Sequence, residues 1–448
     1  MVASAPVAAG HPGSLTANLT TVAGRRVVLV EVSGDRRRGA LSEADGLAFT
    51  WAAEHACRAG LPLLGVLSSS GADVHDGVAA LHGWGRAARS LAQCSGRVPV
   101  LLAATGPVVS GPALLLGLAD QVVMTADAYA YVSGPAMVQT FTGESVGVTE
   151  LGGSTAHATA TGLASLVVDD PTDVLPALSH LLAFLPPVVD ELPPRWPTSD
   201  PIDRTTPEAG ACLPASPTGG YDVRDVATAI VDDGDLLELR AEWAPNLVTA
   251  LATIGGQPVG IVANQPVAIA GTLDIPASLK GARFVAFCDA FGIPLLTLVD
   301  TPGFYPGKDL EWRGMIRKGA QLAFAYARAT VPRVAVVLRK AYGGAYIVMD
   351  CRSMGSDLYL AWPSAEIAVM GAKGAVEVLH RRQPPEQRAA LEAEYEERFL
   401  NPYVAAERGF VDAVIDPADT RRAVGAAFEV LASKREPLVH RKHDNSPL

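Results

Sequence analysis

The sequence contains few cysteines, and their placement excludes two kinds of cross-linked framework. Five cysteines are spread over 448 residues, and no Cys-x-x-Cys pair occurs. A disulfide framework needs an even set of cysteines, and a zinc ribbon needs clustered thiolate ligands. We therefore expect reduced thiols in a cytoplasmic protein, with no metal site in this chain.

Positive charge is also in short supply. The chain has 36 lysines and arginines against 47 aspartates and glutamates, which gives a formal net charge of −11 at pH 7. A nucleic-acid-binding domain usually carries a basic surface. The acidic balance therefore excludes nucleic acid as an expected partner. A small anionic ligand would need local cations or helix N-termini.

An uninterrupted membrane-spanning run is missing as well. Residues 98–119 are uncharged and long enough to cross a bilayer, but three prolines and three glycines interrupt them. These residues break helices and mark turns. We therefore predict a short strand, a loop and the start of a helix there, and no association with a membrane.

Familiar catalytic motifs are absent from the sequence. It has no G-x-S-x-G, no H-E-x-x-H and no G-x-x-x-x-G-K-[ST]. Asp300 ends a predicted strand, where it would act either as a base or, in the interpretation that we favour, as a cap of the following turn. We therefore expect a substrate or cofactor to supply the catalytic base.

What the sequence does contain is a duplication. The segment "VPVLLAATGPVVSGPALL" (98–115) resembles "VPRVAVVLRKAYGGAYIV" (331–348) at an offset of 233 residues. The segment "GLPLLGVLSSSG" (60–71) likewise resembles "GIPLLTLVDTPG" (292–303). Buried strands alternate with amphipathic helices in both halves. This pattern predicts an α/β fold built from two similar β-β-α domains.

Composition indicates the domain boundaries. Residues 185–225 are rich in proline, serine, threonine and glycine, which is typical of a linker. We therefore predict four segments: a flexible tail over 1–20, an N-terminal domain over 21–184, the linker over 185–225 and a C-terminal domain over 226–448.

Two glycine-bearing loops follow buried strands in each half. They are "SSSGAD" (68–73) and "VVSGPA" (108–113), then "DTPGF" (300–304) and "YGGAY" (342–346). Such glycines usually mark tight turns. Two loops that converge at strand ends also aim backbone N–H groups at one oxygen, which forms an oxyanion hole. That arrangement suits chemistry through an enolate or a tetrahedral anion.

The sequence closely resembles the carboxyltransferase (β) subunit of biotin-dependent acyl-CoA carboxylases, with the acetyl-CoA and propionyl-CoA carboxylases nearest. The resemblance is dense from about Tyr221 to Arg421 and weaker across Val27 to Asp170. Its most specific segments are "GTLDIPASLKGARFVAFCDAFGIPLLTLVDTPGFYPG", "RKAYGGAY", "AWPSAEIAVMGAKGAVEVL" and "ERGFVDAVIDPADTR".

This resemblance implies two tandem crotonase-like domains (the ClpP/crotonase β-β-α superhelix) and a hexamer assembled as a trimer of dimers. It implies that acyl-CoA lies on the N-terminal domain. Biotin, carried by a separate biotin carboxylase/biotin carrier α subunit, would enter from the C-terminal domain of the neighbouring chain. The implied reaction moves a carboxyl group from carboxybiotin to the α-carbon of acetyl- or propionyl-CoA, which gives malonyl- or methylmalonyl-CoA.

The resemblance also assigns roles to the glycine loops. Gly344 and Ala345 would hold the urea oxygen of biotin with their N–H groups. Ser110 and Gly111 occupy the place of the glycines that hold the thioester oxygen. Ile347 would lie at the wall near the acyl tail. The other residues expected at these sites are Gly343, Gly303, Phe304, Tyr346, Gly71 and Ala72.

The N-terminal loops depart from the family pattern. Residues 69–73 read S-S-G-A-D where the family has S-G-G-A-R, and residues 109–112 read V-S-G-P where the family has A-G-G-A. A positive charge near the acyl-CoA site thus becomes negative. Two alternatives stay open beside the carboxyltransferase. One is a biotin-independent decarboxylase or hydrolase of a malonyl-type thioester, and the other is a non-catalytic structural β subunit.

Overall fold

A computed structural model gives the fold of the chain. It describes residues 5–6, 13–216 and 218–447. The chain divides into two compact units. The first unit runs to Pro194 and includes Ala290–Gly292, and the second comprises Arg195–Asp289 and the residues from Ile293 onward.

The first unit is built on an eight-stranded mixed sheet. Its strands are β1 (Ala5–Pro6), β2 (Leu15–Val22), β3 (Arg25–Val32), β4 (Leu63–Ser69), β5 (Val100–Val109), β6 (Gln121–Thr125), β7 (Tyr129–Tyr131) and β8 (Leu166–Val168). The order is β1-β2-β3-β4-β5-β6-β8, and β7 also pairs with β5. The pairs from β3 to β8 are parallel, whereas β1, β2 and β3 are antiparallel.

The second unit repeats this topology in another eight-stranded sheet. Its strands are β9 (Leu236–Glu238), β10 (Leu247–Ile254), β11 (Gln257–Asn264), β12 (Leu295–Thr301), β13 (Arg333–Tyr342), β14 (Leu358–Ala361), β15 (Glu366–Ala368) and β16 (Ala413–Val414). The order is β16-β14-β13-β12-β11-β10-β9, and β15 also pairs with β13. The strands from β11 to β16 are parallel, and β9, β10 and β11 are antiparallel.

Helices connect the parallel strands, as parallel pairing requires. Those of the first half are α1 (Glu43–Ala59), α2 (Val78–Cys94), α3 (Ala113–Gly117), α4 (Pro135–Thr142), α5 (Val148–Gly152), α6 (Ser154–Ala156) and α7 (Val174–Ala183). Those of the second half are α8 (Pro207–Ala211), α9 (Val223–Ile230), α10 (Ile275–Ala290), α11 (Lys308–Trp312), α12 (Met315–Arg328), α13 (Gly343–Val348), α14 (Ala372–Leu379), α15 (Pro385–Phe399), α16 (Pro402–Glu407) and α17 (Thr420–Leu431).

Local sequence explains where these elements begin and end. Helix α1 starts with a capping box, in which the hydroxyl of Ser42 accepts from the N–H of Asp45 and the carboxylate of Asp45 accepts from the N–H of Ser42. It ends at Gly60, whose left-handed conformation terminates the helix. Strands β10 and β12 are buried along their whole length, as expected for central strands covered on both faces.

The predicted α/β fold with two similar crotonase-like halves is confirmed by this topology. The uncharged stretch over residues 98–119 forms β5, a turn and α3, as the prolines and glycines predict. No helix among the described residues is long and apolar enough to cross a bilayer. The boundaries of the four predicted segments stay a prediction, and β2 begins within the segment assigned to the tail.

Candidate active site

The first loop of the second unit begins where the sheet changes register. Pairing of β12 with β13 shifts between Val299 and Thr301. The chain then turns at Gly303, whose φ of +139° lies in the region that favours glycine. A parallel bridge joins Leu273 to Phe304, and the N–H of Leu273 donates to the carbonyl of Gly303 at 3.1 Å. Backbone hydrogen bonding therefore fixes the loop at the carboxyl end of β12.

The second loop connects β13 to the short helix α13. Gly343 has a φ of +58°, which turns the chain from strand into helix. Gly344 is exposed and Ala345 is fully buried. The first N–H groups of a helix lack intrahelical acceptors, and no side chain caps α13. The N–H groups of Gly344 and Ala345 are therefore the candidate donors of this loop.

The ring of Phe304 links the two loops of the second unit. A Cβ added to Gly344 would lie 3.3 Å from this ring, and one added to Gly319 in α12 would lie 3.2 Å from it. The ring thus packs between the backbones of α12 and α13. A side chain at position 344 would press on the ring, so glycine keeps this approach to the backbone open.

Asp300, at the end of β12, belongs to an internal network. Its buried carboxylate accepts hydrogen bonds from the hydroxyl of Tyr221 at 2.9 Å, the guanidinium of Arg339 at 3.1 Å and the N–H of Lys340 at 3.1 Å. Burial raises the pKa of Asp300, and the charge of Arg339 opposes that rise. The expectation that Asp300 caps the following turn is wrong, because the hydroxyl of Thr301 takes that place.

The first unit has an equivalent first loop. Pairing of β4 with β5 shifts between Leu67 and Ser69. A parallel bridge joins Leu41 to Ala72, and the N–H of Leu41 donates to the carbonyl of Gly71 at 2.8 Å. These bridge positions precede their counterparts in the second unit by 232 residues. The duplication therefore extends to single backbone hydrogen bonds.

The second loop of the first unit differs where glycine would be expected. Ser110 stands at the position of Gly343 and has a φ of +64°. A residue with a Cβ is disfavoured there by about 1–2 kcal/mol. The N–H of Ser110 donates to the carbonyl of Tyr131 at 2.9 Å. This corrects the expectation that Ser110 supplies a donor to a bound oxygen, because its N–H is already engaged.

Pro112 removes the next donor of the same loop. It stands where the second unit has Ala345, and proline has no N–H. It has helical backbone angles and directly precedes α3. Gly111 is the residue between Ser110 and Pro112, and its N–H is the one candidate donor of this loop. The second unit offers two such donors at the equivalent positions.

A different aromatic ring covers the loop in the first unit. A Cβ added to Gly111 would lie 2.5–2.8 Å from the indole ring of Trp84 in α2. The second unit uses Phe304 from its first loop, whereas the first unit has the small Ala72 at that position. The Nε1 atom of Trp84 is buried and has no hydrogen-bond partner among the described residues. Gly111 therefore has no room for a side chain.

The first loop of the first unit carries an acidic residue, Asp73, and the neighbouring segment carries two arginines, Arg37 and Arg38. Asp73 is buried and accepts from the N–H of His75 at 2.9 Å and the guanidinium of Arg37 at 2.8 Å. The hydrogen bond from the His75 backbone is the main cause that lowers the pKa of Asp73, and Arg37 adds to it. Arg38 is exposed, and its carbonyl accepts from the N–H of Ser70 at 2.9 Å. Exposed arginines thus lie beside the loop that carries Asp73.

Two further predicted residues lie on α13. Tyr346 is half-buried and meets Tyr359 edge-on, with ring centroids 6.1 Å apart. Burial raises the pKa of Tyr346 to about 12. Ile347 is 47% exposed. Tyr346 therefore contributes to packing, while the apolar side chain of Ile347 is exposed to solvent. Within the described parts of the chain, no three ligating side chains cluster as a metal would need.

The structure brings the predicted residues together within each unit. Gly344 meets Phe304, and a Cβ added to Gly71 would lie 3.1 Å from the Cβ of Ser110. Sequence reasoning missed Trp84, which lies on a helix away from both loops in sequence. One signal was available in the sequence. Ala72 stands at the position equivalent to Phe304, so Gly111 cannot be packed by a ring from the first loop and needs one from elsewhere.

Comparison with known proteins identifies the family. Residues 7–446 match the carboxyl transferase domain. The chain is 44% identical to the propionyl-CoA carboxylase β chain of Saccharopolyspora erythraea, over 96% of this chain and 82% of that one. It is 43% identical to the methylmalonyl-CoA carboxyltransferase 12S subunit of Propionibacterium freudenreichii subsp. shermanii, over 95% of this chain and 82% of that one.

A solved structure agrees with these relatives. The crystal structure of transcarboxylase 12S, described as a hexamer with methylmalonyl-coenzyme A and methylmalonic acid bound, superimposes with a TM-score of 0.95. It is 42% identical and covers 97% of this chain and 85% of its own. The chain therefore belongs to the carboxyl transferase family. This membership supports an enzyme that carries out acyl-CoA carboxyl transfer, and it does not favour the decarboxylase or the non-catalytic alternative.

Proposed function

We propose that this chain is the carboxyltransferase subunit of a biotin-dependent acyl-CoA carboxylase that acts on acetyl- or propionyl-CoA. The products would be malonyl- or methylmalonyl-CoA. The observation that carries the proposal is the similarity to a propionyl-CoA carboxylase β chain over 96% of this chain. The two pairs of glycine loops at equivalent strand ends support it, because carboxyl transfer passes through anions that backbone donors stabilise.

The second unit would receive biotin. Gly344 and Ala345 offer consecutive N–H groups at an uncapped helix start, between Gly343 and Tyr346 in the chain. The ring of Phe304, which follows Gly303, lies beside Gly344. A group that needs two backbone donors would fit here, because Gly344 has no side chain to stand between that group and the two N–H groups. A Cβ at this position would lie only 3.3 Å from the ring of Phe304. When bound, biotin would supply the carboxyl group and the base that removes the α-proton. The chain would hold the urea oxygen and favour the charge that develops on it.

The first unit would receive the acyl-CoA thioester. Gly111 offers its N–H to the thioester oxygen, and Gly71 and Ala72 form the adjoining loop at the end of β4. Ser110 would act by holding the turn through Tyr131 rather than as a donor. Exposed Arg38 would contact coenzyme A phosphates, since guanidinium groups bind phosphate well.

Ile347 would limit the acyl chain. Its exposed side chain lies about one helical turn after Gly343 and is apolar, which suits contact with a short alkyl group. A methylene in such a pocket contributes only about 1–3 kcal/mol of discrimination. The enzyme would therefore prefer acetyl or propionyl groups in a graded way.

We propose further that the chain works with a separate biotin carboxylase/biotin carrier α subunit and assembles as a hexamer, a trimer of dimers. The hexameric assembly of transcarboxylase 12S supports this. We place the complex in the cytoplasm, and the odd number of cysteines without a Cys-x-x-Cys pair supports that assignment.

A carboxylation assay tests the proposal. The purified chain is mixed with the biotinylated α subunit of a related carboxylase, ATP and bicarbonate, and then with acetyl-, propionyl-, butyryl- or palmitoyl-CoA. We expect carboxylated product from the two shortest substrates, with kcat/KM falling as the chain lengthens. A higher kcat/KM for palmitoyl-CoA than for both short substrates would contradict the proposed substrate class.

A further inference from the structure

Helices α1 and α2 of the first unit touch through glycine near their N-terminal ends. A Cβ added to Gly46 would lie 2.1 Å from the backbone of Gly83, and one added to Gly83 would lie 2.7 Å from the Cα of Glu43. Neither position has room for a side chain. The two helix backbones are therefore in direct contact at this level.

The same two helices carry a pair of cysteines three turns further on. Cys57 follows Gly46 by eleven residues, and Cys94 follows Gly83 by eleven residues. Eleven residues are close to three turns at about 3.6 residues per turn, so each cysteine returns to the face that its glycine occupies. The two Sγ atoms lie 3.1 Å apart. A disulfide would need them to approach by only about another 1 Å.

The two thiols differ in access. Cys94 is fully buried. Cys57 is half-buried and opens onto a surface pocket of about 210 Å³, which Glu54, Arg58, Ser90, Gln93 and Arg97 also line. Burial, followed by the hydrogen bond with Cys57, raises the pKa of Cys94. A reagent from solvent therefore reaches Cys57 first, and Cys94 reacts only through it.

We propose that Cys57 and Cys94 form a reversible thiol-modification site for a low-molecular-weight disulfide that carries carboxylates and an ammonium group. The Cys57 thiolate attacks one sulfur of that disulfide, forms a mixed disulfide and releases one thiol. The Cys94 thiolate then attacks the Cys57 sulfur, forms the Cys57–Cys94 bond and releases the second thiol. The external disulfide takes up both electrons, and the two cysteine protons end on the released thiols or in solvent.

The pocket lining matches this class of reagent. Arg58 and Arg97 offer two guanidinium groups to carboxylates, and Glu54 offers a carboxylate to an ammonium group. Oxidised glutathione has both kinds of group and is the probe that we would use. The site makes no use of the glycine loops and is independent of the function proposed above.

The test uses the full-length chain. The protein is reduced with a phosphine, freed of reductant and incubated with oxidised glutathione under native conditions, and its peptides are mapped by mass spectrometry without reduction. We expect a peptide pair linked through Cys57 and Cys94 as the main product. The C94A variant should instead stop at glutathionylated Cys57, and the C57S variant should leave Cys94 unmodified.

Cys212 provides an internal control, because it is half-buried and its thiol bonds to the carbonyl of Glu208 rather than to another thiol. It should yield a mixed disulfide only. Modification of Cys212 without any linked Cys57–Cys94 peptide would overturn the proposal. So would a C94A protein that accumulates no adduct at Cys57, because the route requires that intermediate.

Thermal unfolding gives a second readout. A disulfide between residues 57 and 94 closes a loop of moderate length, so the oxidised first unit should unfold at a temperature higher by about 5–10 °C. Added dithiothreitol should reverse the shift, and C57S should show none. An equal shift in oxidised C57S would assign the effect to other cysteines and contradict the assignment.

Discussion

The two units share one backbone plan but offer different numbers of donors at the same place. Each has a register shift before its first loop and a parallel bridge that holds that loop. In the second unit, Gly344 and Ala345 present two successive N–H groups. In the first unit, Pro112 has no N–H and the N–H of Ser110 donates to the carbonyl of Tyr131, so Gly111 is the one remaining candidate donor of that loop. The scaffold was retained through the duplication, whereas the donors were not.

This difference teaches that the fold and the number of N–H donors in its loops can vary independently. Register, bridges and turns depend on backbone geometry. A serine or a proline can adopt that geometry in these loops at a modest conformational free-energy cost. The number of donors depends on one atom, the amide hydrogen at a single position. Our account therefore predicts that changes at the second unit's loop abolish activity, while changes at the first unit's loop adjust it.

Gly344→Val should have the largest effect. Its side chain would press on the ring of Phe304 and block the approach to two N–H groups. Loss of an oxyanion donor alone typically lowers the rate by about 10²–10³-fold, so we expect carboxyl transfer to fall at least about 100-fold. Steady-state kcat measured with propionyl-CoA checks this.

Gly307→Val is the matched control for this change. Gly307 has extended backbone angles, and no atom lies within 4 Å of an added Cβ. It should keep nearly full activity and the same assembly as the unmodified chain. Activity of Gly344→Val within a few-fold of the unmodified chain would remove Gly344 from the site.

Pro112→Ala should raise activity by restoring the missing N–H in the first unit. Alanine accepts the helical angles of this position. One recovered donor in an imperfect site should raise kcat/KM for propionyl-CoA by about three- to tenfold. Pro171→Ala, at an exposed helix start elsewhere in the unit, controls for the loss of proline rigidity. Equal kinetics for both variants would show that the amide at 112 does not face the thioester.

Ser110→Gly and Gly343→Ala should shift stability in opposite directions. Both positions have positive φ, near +64° and +58°. Glycine should stabilise the first unit by about 1 kcal/mol. Alanine should destabilise the second by about 1–2 kcal/mol, because its Cβ would also lie 3.1 Å from the carbonyl of Val369. Urea unfolding measures the free energy of unfolding of both variants. Changes of the same sign would contradict the structural equivalence of positions 110 and 343.

Ile347→Ala should have the smallest effect, a change in substrate preference of a few-fold. Removing part of an apolar wall should weaken discrimination between propionyl- and acetyl-CoA by less than about tenfold. The ratio of the two kcat/KM values is the measurement. Leu379→Ala, another exposed apolar residue on a helix of the same unit, should leave the ratio unchanged. An unchanged ratio in Ile347→Ala would place Ile347 away from the acyl group.

Much of the fold was predictable, because segments of the first half resemble segments of the second half at a nearly constant distance along the sequence. Buried strands and glycine turns predicted the alternating α/β plan, and prolines correctly argued against a membrane span over residues 98–119. The family resemblance predicted that the loop of Gly303 and Phe304 lies near Gly344, and a Cβ added to Gly344 would lie 3.3 Å from the ring of Phe304.

Contacts between distant segments were not predictable. The bond from Ser110 to Tyr131 depends on how β7 pairs with β5, and no local pattern reports that register. The partners of Asp300 come from two segments far from it in sequence, Tyr221 before α9 and Arg339 and Lys340 in β13. Capping of a nearby turn was therefore the natural but wrong expectation. The Cys57–Cys94 approach likewise depends on how α1 packs against α2, which the spacing within either helix does not report by itself.

Reverse transfer to free biotin tests the central claim most directly, because it needs no partner subunit. The purified chain is incubated with methylmalonyl-CoA labelled in its free carboxyl group, with and without biotin, and both propionyl-CoA and labelled carboxybiotin are measured. We predict that propionyl-CoA formation requires biotin, matches the carboxybiotin formed and is lost in Gly344→Val. Propionyl-CoA released at the same rate without biotin would contradict a biotin site at the two N–H groups of the second unit.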